Sequence, residues 1–104
     1  MTTRELARQE LIVIRAAADE LELQLRVAKT QLAFACVRLG DIAQEAGVGV
    51  FLRDDVADGL IRAAWDDCDS RLTAAADASA LYHEKLRAAA DLEHDLNDAA
   101  LWED

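Results

Sequence analysis

From Leu11 to Ala46 one unbroken apolar seam runs through Ile14, Ala18, Leu21, Leu25, Ala28, Leu32, Ala35, Leu39 and Ile42, at spacings that alternate three and four. Sustained over five heptads, that alternation marks a long helix laid along one stripe against a partner helix, as in a coiled coil or a long-armed bundle. The seam names a partner surface and no chemistry.

With 104 residues the chain supports one helical domain, 1–104, and only a modest core, so stability depends on well-matched helix packing or on association. Proline is absent and alanine makes up about a fifth of the residues, which argues for helix nearly everywhere and against sheet. The expected fold is therefore all-α: a long antiparallel helical hairpin resembling a coiled coil, each arm on the order of 60 Å at 1.5 Å per residue.

Thr2 stands three residues before Glu5, the spacing of a capping box, and sets the start of a first helix over 3–46. Glu10 with Arg15 and Gln24 with Lys29 flank the seam five residues apart, like the interhelical pairs of parallel coiled coils. A second stripe, Leu6, Val13, Val27 and Phe34, repeats at multiples of seven on another face, and one partner helix cannot cover both. Gly40 interrupts neither the pattern nor its phase and reads as a tolerated helix-interior glycine. The glycines of 47–53 predict the turn, and Asp54 or Asp55 caps a second arm over 54–101.

In that arm Leu60, Ala64, Cys68, Leu72, Ala75, Ser79, Tyr82, Leu86, Ala89, Glu93, Leu96 and Ala100 fall on one side. The polar cluster 66–70 is its least helical stretch. A break there, with Ser70 capping a third helix, is the alternative to one continuous arm and would let the third helix cover the second stripe.

Asp41-Ile42-Ala43-Gln44-Glu45-Ala46-Gly47-Val48 resembles the first helix and turn of a bacterial helix-turn-helix, but Arg53 replaces an aliphatic residue and Asp54, Asp55 and Asp58 would face phosphate. Across 34–64, Leu39-Gly40, Gly49, Val56, Leu60 and Ala63-Ala64 resemble a helical segment of actinobacterial phage and plasmid primase–helicase proteins, which implies a replication-accessory role. The hairpin outline is also similar to small secreted proteins of the WXG type, although the Trp-x-Gly of their turn is missing here.

Cys36 and Cys68 are the only cysteines, expected to be reduced packing residues, and a hairpin turning near residue 50 brings them to similar heights on opposite arms. His83 and His94, eleven residues apart among acids, fit a solvated helix better than a zinc site. There is no Gly-rich phosphate loop, nucleophile elbow or His-Glu-x-x-His motif, and no cofactor or metal ligand set is expected.

The net charge of −10 is uneven: residues 1–46 hold six basic and seven acidic side chains, and 47–104 hold five and fourteen. Such a surface repels nucleic acid and anionic lipid. Without an apolar span or a signal-like N-terminus, the expected location is the cytoplasm, away from membrane. Two lysines among eleven basic residues, with abundant Ala, Asp, Arg and Val, fit a GC-rich bacterial or phage gene.

The expected function is non-enzymatic protein–protein interaction, in the manner of a phage or mobile-element accessory factor. Leu6, Val13, Val27, Phe34, Trp65 and Trp102 are the expected partner-binding residues, and a homodimer forming a four-helix bundle is the expected assembly. The rival reading is a helix-turn-helix-like replication or regulatory accessory protein that touches nucleic acid.

Overall fold

The computed structural model describes residues 2–48 and 54–102. Helix α1 spans Thr3–Val48, helix α2 spans Asp54–Asn97, and a short 3-10 helix, Ala99–Trp102, follows. The two long helices pack against each other as a helical hairpin, and no strand occurs among the described residues. All-α is the fold.

The start of α1 is set by Thr2, whose hydroxyl accepts the Glu5 N–H at 3.2 Å while its carbonyl accepts the Leu6 N–H at 3.1 Å. These contacts satisfy backbone donors that a helix start leaves unpaired. The helix then continues through Gly40, and its last two residues are Gly47 and Val48, which the sequence assigns to the turn. Residues 49–53 of that expected turn lie outside the described residues.

The second arm is continuous, as its unbroken phase indicates: the alternative of a break at the polar cluster 66–70 does not occur, and α2 passes through it. Asp67 and Arg71, one helical turn apart, approach to 3.5 Å on its surface, a pairing available only if the helix continues. The arm ends at Asn97 and not at 101. There the Asp98 N–H donates to the Asp95 carbonyl, and Asp98 then accepts the Ala100 N–H through its carboxylate and the Leu101 N–H through its carbonyl, each at 3.1 Å. Asp98 thus closes α2 and opens the 3-10 turn, as short acidic side chains do at helix boundaries.

The chain divides into two compact units, Met1–Leu25 with Ala78–Asp104, and Arg26–Asp77. In the first, Ala7, Leu11, Ala89 and Leu96 form a buried cluster with Ile14, Leu92 and Trp102 against it. Ala18 and Leu25 continue the buried line on α1. Among the described residues of the second unit, Ala35, Ala64 and Ala75 are buried.

The α1 seam is buried or half-buried at each position from Leu11 to Ile42, and it extends back to Ala7 and Arg4. The α2 seam departs from the sequence reading in part. Ala64, Cys68, Ala75, Ser79, Tyr82, Ala89 and Leu96 face inward as expected and Arg71, Ala78 and Leu92 join them, while Leu60, Leu72, Leu86, Glu93 and Ala100 are exposed. Arg71 can occupy a seam position because its aliphatic stem covers apolar surface while its guanidinium reaches Gln31 Oε1 at 2.9 Å.

Candidate interaction surface

Numbering the α1 seam as positions a and d of a heptad places Leu6, Val13, Val27 and Phe34 all at position c, on the side away from α2. The structure leaves these four side chains in solvent, with Phe34 71% exposed and Val13 67%. Leu6 and Val13 belong to the first unit, Val27 and Phe34 to the second. Neighbouring outer positions add Ile12 and Leu23 in the first unit and Val37 in the second, all more than half exposed. The sequence reading missed these three, although Leu23 and Val37 stand two heptads apart at one outer position. Their signal is spacing: Leu23 lies four residues before Val27, and Val37 three after Phe34, so each shares a helix face with a stripe residue.

Trp65 and Trp102 occupy different surroundings. Trp65 is 63% exposed and lines an apolar cavity of about 630 Å³ within the second unit, opposite Leu32 and Leu39 of α1 and beside Ile61 and Leu72 of α2. Trp102 is half-buried. The 3-10 turn returns it to its own chain, where the ring rests on the buried cluster of the first unit and the indole Nε1–H donates to the Asp95 carbonyl. Of the six expected residues, Trp102 is therefore the one engaged inside the hairpin.

Phe34 also borders a small cleft of about 200 Å³ with Gln31, Arg38, Asp67 and Arg71. Within the first unit, Arg15 Nη2 donates to Glu93 Oε2 at 2.7 Å, and Arg4 Nη2 donates to the Leu96 carbonyl at 3.0 Å. Arg15 thus pairs across the hairpin with Glu93.

Neither a protein-family model nor any curated protein or solved structure matches this chain.

The remaining chemically capable side chains are locally occupied. His83 Nδ1 donates to the Ser79 carbonyl at 2.7 Å, one turn back, and its ring meets Tyr82 edge-on with centroids 5.5 Å apart. His94 lies in the last turn of α2. Among the described residues no three His, Cys, Asp or Glu side chains converge on one point. The thiols of Cys36 and Cys68 are both free and line the same cavity from α1 and α2. Burial among apolar side chains, then the adjacent Cys36 and the Asp67 carboxylate, push the Cys68 thiol above its ordinary pKa. No helix among the described residues is long and apolar enough to cross a membrane.

Proposed function

We propose that this protein is a non-enzymatic helical interaction module that binds protein through the outer face of α1, and that its first partner is a second copy of itself. One observation carries the reading. Among the described residues, the buried core holds only three side chains larger than alanine, Leu11, Leu25 and Leu96, while thirteen large apolar side chains are exposed. A chain with more apolar bulk outside its core than within it gains free energy by covering the outside, at roughly 1.5–3 kcal/mol for each large side chain fully buried.

Charge supports a second copy as the occupant. Residues 1–46, which include nearly all of α1, are close to neutral, with six basic and seven acidic side chains, whereas the acid excess lies in 47–104. Two copies can bring their α1 faces together without bringing the acidic arms together, giving a four-helix bundle. Because α2 is one unbroken helix, it supplies no third helix to cover the stripe within a single chain. A role as a phage or mobile-element accessory factor accords with the composition and with the local resemblance of 34–64.

Sedimentation equilibrium at micromolar concentration tests the proposal. A dimer mass is expected for the wild type, with Phe34→Ser and Val27→Ser together giving a monomer that keeps its helical circular dichroism. A monomeric wild type whose mass and melting curve are indifferent to Phe34→Ser refutes it. DNA binding that weakens steeply with salt would favour a nucleic-acid-associated role instead.

A further inference from the structure

The cavity of the second unit has Cys36 in its α1 wall and Cys68 in its α2 wall, among leucines, Ile61 and Trp65. Cys36 is exposed and Cys68 half-buried, and the Cys36 side chain is one of the groups that act on the Cys68 thiol. Two unbonded thiols on facing walls of one cavity form a dithiol, and closing a disulfide between them requires close Cα approach with the Cβ atoms directed toward each other. Gly40, one turn beyond Cys36, keeps the adjoining wall open: a Cβ built there meets nothing within 4 Å.

We propose that Cys36 and Cys68 are a thiol–disulfide exchange site: reaction with a low-molecular-weight disulfide converts them into an intramolecular disulfide that staples α1 to α2 within the second unit. The order of steps follows from exposure. Cys36 loses its proton to solvent and its thiolate attacks one sulfur of the small disulfide; the disulfide bond breaks and the departing half leaves as a thiol after protonation. Cys68, shielded among apolar groups and beside the Asp67 carboxylate, is slow to ionise and acts second. Its thiolate attacks the Cys36 sulfur, and the second small thiol leaves. The two protein sulfurs are oxidised together by two electrons, and one small disulfide is reduced to two thiols. The staple closes a loop running through both helix ends that flank 49–53, which restricts the unfolded chain more than the folded one. Nothing in this chemistry depends on self-association, since both thiols belong to one chain.

Oxidised glutathione is the probe, added in excess to the reduced full-length chain, followed by acid quench, alkylation and intact mass without reductant. The expected product has the mass of one chain, carries no glutathione and resists alkylation at both cysteines, while Cys36→Ser and Cys68→Ser each retain one glutathione. The melting temperature of the oxidised wild type should rise by roughly 10 °C and return on adding dithiothreitol. Two glutathiones on one chain, disulfide-linked pairs of chains, two thiols still free after excess reagent, or a disulfide that leaves the melting temperature unchanged would each overturn the proposal.

Discussion

Arg4 donates from Nη2 to the carbonyl oxygen of Leu96 at 3.0 Å, joining the first turn of α1 to the last turn of α2 across 92 residues of sequence. Nε of the same guanidinium is buried without a partner, so part of what the link contributes is offset by desolvation. Arg4→Ala should lower stability by about 1 kcal/mol in urea unfolding and speed amide exchange over Ala99–Trp102. Protection there equal to wild type would show that Arg4 does not hold the end of α2.

Trp102 and Trp65 should respond oppositely to truncation. Trp102→Ala removes a ring packed on Ala7, Leu11, Ala89 and Leu96, and should cost about 1–3 kcal/mol. It should also red-shift the fluorescence, because the remaining Trp65 is the exposed one. Trp65→Ala should change chemical stability by less than about 0.5 kcal/mol under conditions where the chain is monomeric.

Leu25 is 6% exposed in the α1 seam, so Leu25→Asp would bury an unpaired carboxylate. That should cost several kcal/mol and unfold a chain of this size, read as loss of the helical signal at 25 °C. Asp95→Lys, on the exposed side of the last turn of α2, should leave the melting curve close to wild type.

Gly40→Ala should stabilise the protein by roughly 0.5–1 kcal/mol, since the new methyl enters open space in the interior of α1. Gly59→Ala in α2 meets equally open space and should behave alike. A lower midpoint in either variant would mean that the glycine is needed for close approach or for a non-helical backbone.

The Arg15–Glu93 pair is short but more than half exposed on both sides. A double-mutant cycle to alanine should therefore return less than about 1 kcal/mol, falling toward zero in 1 M salt.

The α1 half of the fold was legible because one three-four alternation of apolar residues runs unbroken from Leu11 to Ala46, even with Val13, Val27 and Phe34 standing beside seam positions. In α2 the pattern is ambiguous. At the paired positions 71/72, 78/79 and 92/93, either residue can complete the four-three spacing, and choosing Leu72 over Arg71 is the natural reading of hydropathy. The structure reverses that choice because an arginine stem can lie in an alanine-lined seam and still carry its charge to Gln31. The c-position stripe could be read from its repeat of seven. The docking of Trp102 could not, since it depends on the reversal at Asp98, four residues earlier, and on a cluster drawn from both ends of the chain. The facing of Cys36 and Cys68 was legible only as equal height, because Cys36 stands one position off the α1 seam.

Among the described residues, six of the nine that form the buried core are alanine: Ala7, Ala18, Ala35, Ala64, Ala75 and Ala89. A methyl group is a shallow tooth. Helices that meet through methyls come close together, yet one can slip along the other with little steric resistance, unlike helices whose leucines lock into four-residue holes. The axial setting of each unit is then held by directional contacts that a slip of one residue would break, Arg4 to Leu96 and Arg15 to Glu93 in the first unit and Arg71 to Gln31 in the second. Surface polar groups that add little to the depth of the energy well thus narrow its width, selecting one alignment of the helices from several that bury similar area.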